Sequence, residues 1–120
     1  MDELTERIIG AAIEVHRVLG PGLLESVYEE AFCRELEIRE IPFKRQVAVD
    51  IDYKSKIISG QRIDLIVDES VVIELKSARN LPEVSSAQTL SYLRATGLKR
   101  GLLINFGNSR LTDGIKRFSL

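Results

Sequence analysis

Residues 62–67 read Arg-Ile-Asp-Leu-Ile-Val and residues 71–76 read Val-Val-Ile-Glu-Leu-Lys, and three residues separate these two apolar runs. Each run has the length and composition of a β-strand. If residues 68–70 form a hairpin loop, Val67 faces Val71 and the register of the remaining pairs is fixed. A slip of one residue would send every side chain of a strand to the opposite face of the sheet.

The hairpin brings two acidic residues, Asp64 and Glu74, directly opposite each other. Cross-strand neighbours on one face lie roughly 5 Å apart, and like charges in that position destabilise a sheet. Alternation along the strand puts Lys76 on the face of Glu74 and Leu75 on the other face. Two carboxylates that need a cation, next to a lysine, indicate a divalent-metal site of the kind that phosphodiesterases use. The alternative is an ordinary charged cluster on a solvated face.

Length and composition restrict the class of protein. At 120 residues we expect one domain, residues 1–120, with a substantial core. The 17 basic and 18 acidic residues give a net charge of −1, which excludes a strongly basic nucleic-acid binder and requires any positive surface to be local. The apolar stretches are too short to span a bilayer and the acidic N-terminus does not resemble a signal peptide, so we expect a cytoplasmic protein without membrane association.

The chain has one cysteine and one histidine, which excludes several kinds of site. With Cys33 alone, an internal disulfide and a cysteine metal cluster are impossible, and its apolar neighbours predict a small core residue. With His16 alone, multi-histidine zinc sites are excluded, and we assign this residue no role.

Periodicity and turn residues predict the order α-α-β-β-β-α-β. Three-four apolar spacing predicts two N-terminal helices, and Gly20-Pro21-Gly22 separates them. The expected elements are helices at about 4–19, 24–39 and 83–96 and strands at 43–53, 56–67, 71–76 and 101–106, followed by a tail with a short terminal element. Gly60 predicts a bulge or bend. The last apolar run is typical of a buried strand that returns parallel to an earlier one, which gives a mixed α/β sheet with helices on its faces.

The acid pair and its surroundings resemble the PD-(D/E)xK nuclease superfamily, in which such residues stand on the second and third strands of an αβββαβ core. In addition, Gly22-Leu23-Leu24-Glu25-Ser26-Val27-Tyr28 is the motif that names the GxxExxY protein family, a bacterial and archaeal group assigned to that superfamily. Stretches at 13–22, 41–46 and 101–106 also read like that family. The resemblance implies a restriction-endonuclease-like core with an extra N-terminal helix and a metal-dependent nuclease that acts on nucleic acid.

The resemblance implies a role for each residue of the central motif. Asp64 and Glu74 would bind Mg²⁺ or Mn²⁺, hard cations that prefer oxygen, and the Leu75 carbonyl would add a ligand. Lys76 would orient the attacking water or stabilise negative charge on the phosphate. Glu25 would complete the metal site from a helix. The alternative for Glu25, three residues past a glycine N-cap, is a capping residue that complements the helix dipole.

Four more residues are candidates for the site. Gln88 and Tyr92 lie four residues apart on one helix face and resemble the Gln-x₃-Tyr motif of the RecB-like branch, which implies contact with the substrate phosphate or the lysine. The alternative is a helix in which Tyr92 is merely half buried. Arg62 shares the face of Asp64 by alternation and would bind a carboxylate or a phosphate. Tyr28 would hydrogen-bond Glu25 or, as we favour, pack in the core.

Two functions from different classes follow from these observations. The first is a metal-dependent nuclease that hydrolyses phosphodiester bonds with metal-activated water. The second is a non-catalytic module with the nuclease fold that acts through a protein or nucleic-acid partner, which the near-zero net charge and the small size favour. A homodimer that builds one basic cleft from two chains would reconcile them.

Overall fold

The computed structural model describes residues 2–120, and within this range it contains three helices, a 3₁₀ turn and five strands. The helices are α1 (Glu3–Leu19), α2 (Glu25–Ile38) and α3 (Val84–Thr96); the strands are β1 (Phe43–Tyr53), β2 (Lys56–Val67), β3 (Val71–Lys76), β4 (Arg100–Asn105) and β5 (Ile115–Ser119); the 3₁₀ turn is Leu111–Gly114. The predicted order of elements is confirmed, and the terminal element is a fifth strand.

The strands form one mixed sheet in the order β1-β2-β3-β4-β5. The first three strands are an antiparallel meander, α3 crosses over to β4, which runs parallel to β3, and β5 returns antiparallel to β4. Val67 pairs with Val71, so the predicted three-residue hairpin loop is confirmed. Gly60 has a φ of 115° and lies where the β1–β2 register shifts, as expected of a bulge.

Helices cover both faces of the sheet and define two cores. The first core joins α1 and α2 to the sheet through fully buried residues such as Ile8, Phe32, Leu65 and Ile73, and it also contains Cys33, as predicted. The second core joins α3 to the other face; its buried members are Val49, Ile63, Val72, Tyr92 and Leu93. No helix within residues 2–120 is long and apolar enough to cross a membrane.

Strands β1 and β2 change faces in the middle of their length. Alternate residues of a regular strand share a face, yet Leu65 packs in the first core and Ile63, two residues earlier, packs in the second. On β1, Gln46 has a φ of 49°, which is the left-handed region. The register pairs Arg45 with Leu65 and Val47 with Ile63, so Gln46 lies opposite Asp64. The reversal of faces therefore occurs at the aspartate of the acid pair.

Candidate active site

Asp64 and Glu74 lie opposite each other where the β2–β3 ladder ends. Regular pairing runs from Val67–Val71 to Leu65–Ile73, and the same register places Asp64 opposite Glu74. The Asp64 amide donates to Oε1 of Glu74 at 3.2 Å, and the Leu75 amide donates to Oδ2 of Asp64 at 2.8 Å. Carboxylates thus replace carbonyls as acceptors for the backbone, while the second oxygen of each carboxylate takes no part in these bonds.

Burial and mutual repulsion make the acid pair electrostatically unfavourable without a cation. Glu74 is only 3% exposed, and desolvation, followed by repulsion from Asp64, raises its pKa to about 8. Desolvation likewise raises the pKa of Asp64, with a smaller contribution from Glu29, against the stabilising Leu75 amide. Lys76 attracts both carboxylates and lowers both pKa values, but it does not outweigh the desolvation.

Leu75 and Lys76 present different groups to this region. In a strand, the N–H and C=O of one residue point towards the same neighbouring strand. Because the Leu75 amide donates to Asp64, the Leu75 carbonyl is directed to the side of β2 as well. The Lys76 carbonyl instead accepts from the Phe106 amide at 2.8 Å, on the side of β4. Leu75 therefore offers a backbone oxygen next to the carboxylates.

Glu25 is the first residue of α2 and approaches the acid pair from the helix. The N-cap residue is Leu24, so the prediction of a glycine N-cap was wrong, because Gly22 lies in the preceding loop with a φ of 100°. Partial desolvation raises the pKa of Glu25; Lys76 lowers this pKa, and Asp64 and Glu29 raise it. The charges of Lys76 and Asp64 therefore act on the Glu25 carboxylate.

Tyr28 fixes the loop that precedes α2. Its side chain is fully buried and stacks on Phe106 with ring centroids 4.6 Å apart. Its hydroxyl donates to the Gly20 carbonyl and accepts from the Leu23 amide at 3.1 Å. The Leu23 carbonyl in turn accepts from the Ser77 hydroxyl at 2.6 Å, directly after Lys76. The predicted packing of Tyr28 is confirmed, and it ties the start of α2 to the end of β3.

Gln88 and Tyr92 lie together on α3, facing the sheet. The Gln88 amide donates to the Tyr92 hydroxyl at 3.1 Å, and that hydroxyl donates to Oε1 of Gln61 on β2 at 2.9 Å. Tyr92 is buried rather than half buried. Desolvation raises its pKa, and repulsion by Glu74 adds to the increase.

Comparison with known proteins identifies a family and a similar fold. A family model described as the PD-(D/E)XK nuclease superfamily matches residues 2–118. The chain belongs to this superfamily. The crystal structure of SSO0001 has a similar fold, with 19% sequence identity, a TM-score of 0.51, and coverage of 98% of this chain and 78% of that chain. A comparison with curated proteins found no match. The five-stranded mixed sheet with its three helices is a restriction-endonuclease-like fold, as predicted.

Arg62 hydrogen-bonds a backbone carbonyl of β1. Strict alternation fails between residues 63 and 65, so alternation does not decide whether Arg62 shares the face of Asp64. Its guanidinium donates to the Gln46 carbonyl at 3.0 Å, and within residues 2–120 it forms no ion pair with a carboxylate. Arg62 thus bonds the backbone of Gln46, the residue with a left-handed conformation opposite Asp64.

Sequence reasoning missed a polar network behind Asp64. Glu29 of α2 is nearly buried and accepts from Arg45 at 2.8 Å and from the Gln46 amide at 2.9 Å. The Gln46 side chain also lowers the pKa of Asp64 by hydrogen bonding. Glu29 follows Glu25 by four residues and so shares its helix face, which was the available signal. No such signal existed for Gln46, because glutamine does not favour a positive φ.

The donor set of the acid pair fits a divalent cation that members of the superfamily generally use. Within residues 2–120, no three His, Cys, Asp or Glu side chains form a preformed metal cage. Mg²⁺ usually takes only one or two carboxylates and completes its shell with water and substrate phosphate. Asp64, Glu74 and the Leu75 carbonyl supply hard oxygens, and burial raises the pKa of both acids, a cost that a bound cation would offset.

Proposed function

We propose that this chain is a divalent-metal-dependent nuclease of the GxxExxY family that hydrolyses phosphodiester bonds of nucleic acid. The observation that carries the proposal is the pair of buried Glu74 and half-buried Asp64, in which one oxygen of each acid is fixed by the backbone of the opposite strand. Such a pair is costly to the fold, which favours a functional reason for keeping it. We further propose that the chain acts as one domain in the cytoplasm.

In this proposal each residue of the site has a distinct task. Asp64, Glu74 and the Leu75 carbonyl would hold Mg²⁺ or Mn²⁺, with Glu25 reaching the same region from α2. When bound, the ion would lower the pKa of a coordinated water and neutralise charge on the phosphate. Lys76 would orient the attacking water and stabilise charge that develops on the phosphate oxygens. The Leu75 and Asp64 amides keep both carboxylates in place throughout.

A stretch of chain with an excess of basic residues supports a polyanionic substrate despite the net charge of −1. Between residues 94 and 120 the sequence has one acidic residue, Asp113, and six basic residues, of which Arg100 pairs with Asp2: Arg94, Lys99, Arg100, Arg110, Lys116 and Arg117. Lys116 pairs with Leu103, which pairs with Glu74, so Lys116 lies two strands from Glu74, about 10 Å away. Basic residues at this distance would contact phosphates next to the one being cleaved.

Cleavage of labelled DNA and RNA, single- and double-stranded, with Mg²⁺ or Mn²⁺ tests the proposal. We expect cleavage that EDTA abolishes and that Asp64→Asn and Lys76→Ala reduce by at least about a hundredfold. Lys56→Ala, on the exposed hairpin, is the matched control and should retain activity. Cleavage that persists in the Asp64 and Lys76 variants would reject the assignment.

Metal binding distinguishes the hypothesis of a non-catalytic module from that of a nuclease. In isothermal titration with Mn²⁺, the nuclease requires a site whose affinity falls in Asp64→Asn and Glu74→Gln. A protein that neither binds Mn²⁺ nor cleaves would instead act through a partner. We also propose a homodimer with a shared basic cleft, which sedimentation at several protein concentrations tests.

A further inference from the structure

A cleft of about 490 Å³ opens between α3 and the β1–β2 hairpin. Its apolar wall consists of Ile51 from the hairpin with Val84 and Ala87 from α3, and Val84 is 69% exposed. Its polar part consists of Gln61, Gln88 and Tyr92, with Ser91 at the margin. The chemistry proposed for the acid pair uses neither Gln61 nor the apolar wall.

Hydrogen bonds at the cleft fix the direction of its two side-chain amides. Because the Gln88 NH₂ donates to the Tyr92 hydroxyl, the Gln88 carbonyl oxygen remains as an acceptor. Because the Tyr92 hydroxyl donates to Oε1 of Gln61, the NH₂ of Gln61 remains as a donor. The buried Tyr92 therefore presents one amide donor and one amide acceptor side by side.

We propose that this cleft receives the unpaired base of a nucleotide next to the scissile phosphate, so that the substrate is single-stranded at that point. The proposal rests on the nuclease function proposed above. A nucleobase has a planar apolar face, which suits Ile51 and Val84, and an edge with donors and acceptors, which suits Gln61 and Gln88. The volume lies within the range of small-ligand pockets.

The position of the cleft relative to the acid pair suits a neighbouring nucleotide. Gln61 precedes Asp64 by three residues on β2, which corresponds to about 10 Å along the strand. Tyr92 links the two places, because its hydroxyl bonds Gln61 and its side chain belongs to the same buried cluster as Ile63, the neighbour of Asp64. A base bound between Gln61 and Gln88 thus belongs to a nucleotide whose phosphate reaches the carboxylates.

A fully paired duplex cannot use the cleft in this way. Bases in a duplex expose only their groove edges, and a base must leave the stack before a pocket can take its face. Base faces bound on apolar or aromatic side chains are typical of single-strand recognition, and this contact tolerates different bases. The cleft therefore predicts preference for single strands or unpaired ends without a strong sequence requirement.

Fluorescence anisotropy in a Lys76→Ala background, with Mn²⁺ present, tests the proposal without cleavage. The probes are a short single-stranded oligonucleotide, the same oligonucleotide with abasic central nucleotides, and the matched duplex. We expect the abasic probe and the duplex to bind about fivefold more weakly than the intact strand. Adding Gln61→Leu should weaken binding of the intact strand by a similar factor and leave the abasic probe unaffected. Ser119→Ala, on the distant edge strand β5, is the matched control.

Equal binding of intact and abasic strands, equal binding of strand and duplex, or no binding of any probe would overturn the proposal. If Gln61→Leu weakens binding of the abasic probe as much as binding of the intact strand, the proposal is also overturned, because the base would then lie elsewhere. If Gln61→Leu fails to fold, the abasic comparison in the Lys76→Ala protein still decides. If the unsubstituted protein cleaves nucleic acid but binds intact and abasic strands equally, only the cleft proposal is rejected. If it binds the intact strand more tightly than the abasic strand but does not cleave, only the nuclease proposal is rejected.

Discussion

Replacement of Glu74 by glutamine should stabilise the metal-free protein at alkaline pH. The pKa of Glu74 is raised to about 8 from an ordinary value of 4.5, chiefly by burial and then by repulsion from Asp64. A raised carboxyl pKa means that the folded state binds more protons than the unfolded state, so stability is present below pH 4.5 and is lost as the pH rises towards 8.

The structure sets the size of this effect and makes glutamine a suitable probe. Each unit of pKa shift corresponds to about 1.4 kcal/mol, so ionisation of Glu74 costs on the order of 3 to 5 kcal/mol. The free energy of unfolding of a whole domain is only about 5–15 kcal/mol. Glutamine keeps an oxygen that accepts from the Asp64 amide, and its NH₂ replaces repulsion of Asp64 by attraction.

Urea denaturation in EDTA between about pH 5 and pH 9 is the assay. The unsubstituted protein should lose several kcal/mol across this range, while Glu74→Gln should show a flatter profile and higher stability at the alkaline end. The exposed Glu37→Gln on α2 is the control and should follow the unsubstituted protein. A Glu74→Gln protein that is less stable at the alkaline end, or that keeps the full pH slope, would refute the account of the acid pair.

Three further substitutions test the supports of the site. Tyr28→Phe should cost about 1–3 kcal/mol in urea denaturation, because the Gly20 carbonyl and the Leu23 amide lose their partner. Gly107→Ala should unfold the protein or sharply lower its melting temperature, since a Cβ there would lie 2.2 Å from the Ala78 carbonyl oxygen. Gln46→Gly should keep the left-handed backbone but weaken Mn²⁺ binding by about 10–100-fold in isothermal titration, because the bond to Glu29 is lost.

Local patterns in the sequence predicted the framework of the site. The three-residue loop and the alternation of β3 fixed Asp64 opposite Glu74, since both depend on residues close together in the chain. Gly97 ended α3 with a left-handed residue, as its position predicted. The edge strand β5 was missed because its five residues include Lys116 and Arg117 and show little apolar alternation.

The support behind Asp64 depends on contacts between distant parts of the chain. Arg45 and Glu29 are 16 residues apart, and their bond requires α2 to lie across β1. The left-handed conformation of Gln46 likewise reflects partners on other elements, namely Glu29 and Arg62, rather than the preference of glutamine. Such features follow from tertiary packing, which no short stretch of sequence encodes.

The reversal of strand faces explains how the fold tolerates a buried Glu74 opposite a half-buried Asp64. In a regular ladder the Leu75 amide would bond a backbone carbonyl of β2, and the side chain of residue 64 would face one of the two cores. Because the chain reverses at Gln46 and Asp64, the Asp64 carboxylate instead reaches the Leu75 amide, and Glu74 reaches the Asp64 amide. Both amides remain satisfied, and each carboxylate keeps a second oxygen outside these two bonds. A β1 strand without the left-handed residue should therefore lose the site before it loses the sheet.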